Sequence, residues 1–139
     1  MIWKTIPSLD SLKKRAIKTM SEFLEIEFLE IGDDFIIARM PVNEKTKQPM
    51  GALHGGASVV LAETLGSIAA IHCVDQNTET IVGIEINANH LKSVRDGWVF
   101  GKVKPIHIGR STHVWQIEIT NDKGHLVSIS RITIAVLKL

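Results

Sequence analysis

Apolar positions along the chain recur in two rhythms, interrupted by one stretch that follows neither. From Ser8 to about Met20, Leu12, Ala16 and Met20 fall at helical spacing while Lys13, Lys14, Arg15 and Lys18 cover the other sides. That pattern predicts a short amphipathic helix. Phe23 to Ile31 and Phe35 to Met40 then alternate on either side of Gly32-Asp33-Asp34, which reads as a hairpin with a tight turn. Residues Val42 to Gln48 are polar and predict a loop. The exceptional stretch runs from Gln48 to Ala70, where nearly every residue is small or apolar and only His54, Glu63 and a few hydroxyls intervene. Gly55-Gly56 punctuates its start and no proline follows as far as Cys73, so it is too long for a strand and predicts a helix. Because that helix is apolar nearly all round, it is expected to be central, with the rest of the fold wrapped around it.

The second half of the chain returns to the two-residue rhythm. Val82, Ile84, Ile86, Ala88 and His90 share one face of a predicted strand, and Glu85, Asn87 and Asn89 share the other. Asp96-Gly97 marks a turn into a long strand from Trp98 to Ile108, in which Pro105 predicts an edge or a bulge. After a turn at Gly109 to Ser111, His113, Trp115, Ile117 and Ile119 alternate against Val114, Gln116 and Glu118. Asn121-Asp122-Lys123-Gly124 then turns the chain into a last strand from Leu126 to Leu137. One hairpin, one long helix and about four hairpin-linked strands predict an α+β fold, its five or six strands mostly antiparallel around the central helix. A sheet covers only one side of a helix, so the other apolar side predicts at least a homodimer.

Length and charge narrow the picture without changing it. At 139 residues the chain fits a single domain, residues 1–139, with its own core. A net charge of +1 with dispersed acids and bases gives no nucleic-acid surface and no anionic membrane face. The start, Met1-Ile2-Trp3-Lys4, lacks a secretory pattern, and no apolar run is long enough to span a bilayer, so a cytoplasmic location is expected. Cys73 stands alone and reads as an inert core thiol. The histidines show no metal-ligand spacing and no Gly-x-Ser-x-Gly elbow is present, so neither a metal site nor a serine hydrolase is expected.

Two residues of the central stretch carry chemistry. The N–H groups at a helix start are unpaired and lie at the positive end of the helix dipole, so Gly55 can donate to an oxyanion that approaches closely. Glu63 lies among Leu61, Ala62 and Leu65, where an ionised carboxylate is costly, which suits a base or a nucleophile.

Leu53-His54-Gly55-Gly56 with Glu63 nine positions after the histidine, together with Gln48, resembles the hotdog-fold acyl-CoA thioesterases of the 4-hydroxybenzoyl-CoA and phenylacetyl-CoA type. Thr46-Lys47-Gln48-Pro49, Gly83-Ile84-Glu85-Ile86-Asn87-Ala88-Asn89-His90 and Val114-Trp115-Gln116-Ile117 are similar to the 1,4-dihydroxy-2-naphthoyl-CoA subgroup. The resemblance implies hydrolysis of an aromatic acyl-CoA with Glu63 as base or nucleophile, Gly55 as oxyanion donor, and Gln48 and His54 as polar groups beside the thioester. It implies that Ser67, Met50, His90, Lys92, Arg110, Ser111 and Thr112 contact the acyl group or coenzyme A, some of the cations meeting its phosphates. No cofactor is implied, coenzyme A being part of the substrate. The implied partners are that substrate and further copies of the chain, as a homodimer or a dimer of dimers.

Granted those roles, Gly55 and Glu63 are eight residues apart, roughly 12 Å along a helix at 1.5 Å per residue. One side chain does not span that distance, so the two would act on one carbonyl from different subunits. The same helix can also serve a hydro-lyase acting on 3-hydroxyacyl chains, with His54 and Glu63 as its acid–base pair, or a non-catalytic acyl-CoA binder.

Overall fold

A computed structural model describes residues 1–139 and shows why each pattern folds as it does. Ser8 caps the first helix, α1 (Leu9–Ala16), its hydroxyl accepting from the Ser11 N–H and the Ser11 hydroxyl completing a reciprocal box. Only Leu12 of α1 is buried. The predicted extension to Met20 does not form: Lys18 adopts a positive φ of 62° and breaks the helix. A single turn, α2 (Met20–Phe23), follows in place of a strand start, leaving Met20 and Phe23 exposed.

The hairpin β1 (Glu27–Ile31) and β2 (Ile36–Pro41) is present, closed by the Gly32 N–H donating to the Phe35 carbonyl at 2.8 Å. After the long helix α3 (Gly55–Ile71) come β3 (Glu79–His90), β4 (Trp98–Ile108), β5 (Thr112–Asn121) and β6 (Leu126–Lys138). The six strands form one antiparallel sheet in the order β1-β2-β4-β5-β6-β3. Pro105 lies at a bulge, as its missing N–H requires, but β4 is an inner strand. It is tolerated there because β2 pairs with β4 only as far as Val103.

One face of the sheet carries Met40, Val99, Val103, Trp115, Ile117, Ile119, Ile132 and Ile134, all but inaccessible to solvent, and α3 lies across them with Leu61, Ala62, Leu65 and Ala69. Burying Leu61 and Leu65 contributes about 1.5–3 kcal/mol each. Two glycines set how closely helix and sheet approach. A methyl group on Gly66 would lie 2.6 Å from Ile132 Cγ2, and one on Gly101 would lie 2.7 Å from Leu65 Cδ1. No helix is long and apolar enough to cross a membrane.

The sheet covers α3 on one side only. Val59, Val60, Thr64, Ser67, Ile68 and Ile71 are only partly buried, and Gly56 and Glu63 are exposed. The expectation that Glu63 is enclosed within the chain is therefore corrected, because in one protomer its carboxylate reaches solvent. A second correction concerns β3. The ladder with β6 shifts between Gly83 and Glu85, so Ile84 is an extra, bulged residue. Cross-strand partners share a face. Gly83 opposite Ile134 and Ile86 opposite Ile132 therefore face the helix, whereas Val82 opposite Ala135 faces away. The predicted continuous face from Val82 to His90 holds only from Ile86 onward.

His72 and His113 are buried, and removal from water lowers the pKa of each, since burial disfavours the charged imidazolium. The unfolded chain then takes up protons first as pH falls. Stability is full above the ordinary histidine value of about 6.5 and is lost as pH drops from there through the folded values. Thermal unfolding midpoints are expected to fall between pH 7 and pH 5, with a shallower fall for His113→Leu. Gly66→Val is expected to destabilise the fold by about 2 kcal/mol through overpacking against Ile132, read as a lower urea midpoint with an unchanged slope.

Candidate active site

The start of α3 is assembled by the loop before it. Thr46, itself buried, bonds through its hydroxyl to the Pro41 carbonyl and accepts from the His54 N–H with its own carbonyl at 2.8 Å. Leu53 bridges to Lys47, and its N–H donates to the Val94 carbonyl at 2.7 Å. These bonds fix His54 as the N-cap residue of α3. Its imidazole Nδ1 accepts from the Gly56 N–H at 2.8 Å, so His54 is neutral with its proton on Nε2. The Ala57 and Ser58 N–H groups bond back to the His54 carbonyl. The Gly55 N–H is the one donor of this first turn that no group of the chain accepts.

Both glycines are required by what lies against them. A methyl on Gly55 would stand 2.8 Å from His90 Nε2, and one on Gly56 would stand 2.9 Å from His54 Nδ1. Two imidazoles thus occupy the space that side chains at the helix start would fill. His90, at the end of β3, lines a cleft of about 370 Å³ with Gln48, Ala52, Leu53, Gly55 and Ser58 on one side and Lys92 and Val127 on the other. Gln48 Oε1 accepts the Met50 N–H, which leaves the Gln48 amide NH2 as a free pair of donors. Arg95 supports this turn, its guanidinium bonding the Met50 carbonyl at 2.9 Å beside Gly51, whose φ is 87°.

Glu63 lies elsewhere. Its Oε2 is 3.2 Å from where a methyl on Gly83 would stand, so the strand glycine makes room for the carboxylate. Gly55 and Glu63 belong to one unbroken helix. Their separation is therefore roughly the 12 Å of eight helical residues. Ser67, one turn beyond Glu63, lies along the same partly uncovered stripe.

Gln48, Gly55, His90 and Lys92 are thus brought to one cleft, with His54 capping the helix that starts there and Met50 exposed at the turn that Gln48 closes. Arg110, Ser111 and Thr112 are not part of it. Their turn lies at the far end of α3, where the Ser111 carbonyl accepts from the Val136 N–H and Arg110 lines a separate depression with Lys4, Cys73, Glu79 and His113. Cys73 there is buried, with its thiol pushed up to about 11 by desolvation, and is unreactive at neutral pH. No three or more His, Cys, Asp or Glu side chains converge as metal ligands.

Sequence reading missed Ser58 and Gly83, and it placed Arg95 only among the cations that could meet coenzyme A. An isolated glycine in a strand does signal a bulge or a close approach, and that signal pointed to Gly83. Nothing local marked Ser58.

Known proteins share this fold. Residues 50–128 match the family model described as the thioesterase superfamily. The chain is 51% identical to the 1,4-dihydroxy-2-naphthoyl-CoA hydrolase of Escherichia coli over 99% of this chain and all of that protein. It is 42% identical to a proofreading thioesterase of Cronobacter turicensis over 99% of both. Among solved structures, a mutant thioesterase from Pseudomonas aeruginosa superposes with a TM-score of 0.98 at 44% identity, covering both chains in full. A thioesterase from Haemophilus influenzae superposes with a TM-score of 0.96 at 44% identity, covering all of this chain and 96% of that one. Sequence and fold agree over the whole length, and the chain belongs to the thioesterase superfamily as a thioester hydrolase of the hotdog fold.

Proposed function

We propose that the protein hydrolyses an aromatic acyl-CoA, with 1,4-dihydroxy-2-naphthoyl-CoA as the leading substrate, at a site shared by two copies of the chain. The observation that carries this reading is the separation of two halves on one helix. The unbonded Gly55 N–H lies in the cleft beside His90, and the carboxylate of the stripe, Glu63, is roughly 12 Å further along. A second copy lying antiparallel across a two-fold axis supplies the missing half to each cleft and covers the partly apolar stripe. The identity with the Escherichia coli hydrolase supports the choice of acyl group.

In this site the thioester oxygen accepts from Gly55, where the helix dipole favours the negative charge of the tetrahedral intermediate. Glu63 of the opposite subunit either takes a proton from the water that adds to the carbonyl carbon, or adds to that carbon itself and forms an anhydride that water then opens. By both routes the carbon–sulfur bond breaks, the thiolate leaves and is protonated, and the products are a carboxylic acid and coenzyme A. The free amide donors of Gln48 face the same cleft and orient the carbonyl or the water. Lys92 is the cation at the mouth of this cleft and is placed for a phosphate of coenzyme A. The bond from Gly56 occupies Nδ1 of His54 and leaves Nε2–H as a donor, which fits polarising a carbonyl and does not fit the base of a hydro-lyase.

Glu63→Ala is expected to lower kcat by about 10²–10⁴-fold with an unchanged melting midpoint. Near-normal turnover would contradict the assignment. In a thiol-release screen, aryl-CoA substrates are expected to give the highest kcat/KM, and equal or better turnover of straight-chain acyl-CoA substrates would overturn the choice of acyl group. A single turnover in isotopically labelled water separates the two routes, since label appears in Glu63 only if it is the nucleophile.

A further inference from the structure

Four polar side-chain groups on the helix-facing side of the sheet are buried and bonded by no group of the chain: Nδ1 of His113, Nε1 of Trp115 and the hydroxyls of Ser128 and Ser130. A buried hydroxyl without a partner is costly, so each calls for a reason. Ser130 and Trp115 can answer one another. Ser130 is opposite Ile117, which makes Trp115 its diagonal neighbour on β5, and a diagonal spacing is within reach of an indole. His113 lies further along β5, beside the depression at the far end of α3. Ser128 is left, fully buried and next to the candidate active site.

The surroundings of Ser128 on this face offer one polar group. Ile119 on β5 and His90 on β3 flank it, and Ile117 and Ala88 are diagonal to it. The Leu91 N–H donates to the Val127 carbonyl, so the adjacent pair His90–Ser128 is of the non-hydrogen-bonded kind, with Cα atoms about 4.5 Å apart and side chains at their closest. On its other side His90 meets the start of α3. A methyl on Gly55 would stand 2.8 Å from Nε2, 3.1 Å from Cε1 and 3.3 Å from Cδ2, so Nδ1 is the ring nitrogen turned away from the helix start. The imidazole thus lies between an N–H that nothing accepts and a hydroxyl that nothing bonds.

Resting on the shared-site reading above, in which Gly55 holds the oxyanion, we infer that Ser128 is a positioning residue for His90. Its hydroxyl donates to Nδ1, which keeps the ring proton on Nε2 and aims that N–H at the thioester oxygen beside the Gly55 N–H. The exposed His90 ring needs only a side-chain rotation to close this bond. The direction of donation follows from the acceptors present. Ile119, Ile117 and Ala88 offer none, and β6 is an inner strand whose backbone is engaged by β5 and β3. The opposite tautomer would turn an Nε2 lone pair to the helix start, where it would take the Gly55 N–H as His54 takes that of Gly56, yet the Gly55 N–H is unaccepted. One backbone and one side-chain donor then meet the negative charge of the tetrahedral intermediate. His90 stays neutral throughout, neither taking nor giving up a proton.

A double-mutant cycle of Ser128→Ala and His90→Ala, assayed by thiol release, tests this role. Removing an oxyanion donor costs about 10²–10³-fold in kcat, so His90→Ala is expected to fall in that range. Ser128→Ala, which keeps the donor but frees its orientation, is expected to lose about tenfold, with KM little changed in either variant. Because Ser128 acts through His90, adding Ser128→Ala to His90→Ala is expected to cost nothing further. Ser128→Cys, which retains a weak donor, is expected to keep more activity than Ser128→Ala. The unmodified chain supplies a readout that depends on no variant folding: with nitrogen-15 at its histidines, the His90 signals are expected to show Nε2 protonated and Nδ1 bare. Full kcat in Ser128→Ala, an equal loss in both backgrounds, or a His90 proton on Nδ1 overturns the inference and leaves the roles of Gly55 and Glu63 standing. Near-normal turnover of Glu63→Ala overturns the shared-site reading itself, whatever Ser128 does.

Discussion

Eight residue steps of α-helix separate the N–H that can hold an oxyanion from the carboxylate that can drive attack, and an α-helix is a rigid rod. Gly55 opens α3 and Glu63 lies at its midpoint, so the helix that presents both groups also keeps them roughly 12 Å apart. The fold does nothing to relieve that separation within one protomer. The sheet covers one side of α3 and leaves the Glu63 side partly open, and the edge strand β3 beside it has a partner on one side only. An incomplete site, an uncovered stripe and an unpaired strand edge are three consequences of one layout, and the proposed second copy of the chain would answer all of them.

Within the protomer, glycines decide what may approach what. Gly66 and Gly101 let α3 settle onto the sheet closely enough for Leu61 and Leu65 to be lost to solvent. Gly56 and Gly55 admit the His54 and His90 rings to the helix start, and Gly83 admits the Glu63 carboxylate to the strand. The division of labour at the first turn follows from this. His54 takes the Gly56 N–H and leaves the Gly55 N–H as the donor without an internal acceptor. A helix start with every N–H satisfied by its own chain would have nothing to offer a ligand.

The parts of this layout that depend on local pattern were legible in the sequence. The two-residue rhythm located the strands β4 to β6, length and the Gly55-Gly56 break located α3, and the buried set His113, Trp115, Ile117 and Ile119 follows directly from alternation. Other features were decided by contacts between distant segments. The bulge at Ile84 turns Val82 to the opposite face, and its only local sign was one glycine in a strand. Glu63 looked enclosed because its neighbours in sequence are apolar, yet exposure depends on which side of the helix the sheet covers. Arg110, Ser111 and Thr112, expected to contact the acyl group or coenzyme A, lie near the other end of α3 from His90 within one protomer, a placement set by the sheet order and not by local pattern. The proposed pairing of Gly55 with Glu63 across subunits needs only the rise of a helix once their roles are granted.

The most direct test of the central claim is complementation between two inactive variants. Glu63→Ala removes the carboxylate, and Gly55→Val drives a side chain into His90 and closes the oxyanion position. Each alone is expected to be inactive. Unfolding and refolding an equimolar mixture gives hybrid dimers in which one of the two sites takes its intact Glu63 from one chain and its intact Gly55 from the other. Random assembly then restores about a quarter of wild-type activity. A mixture that forms hybrids and stays inactive would place both groups' work within a single chain and contradict the account.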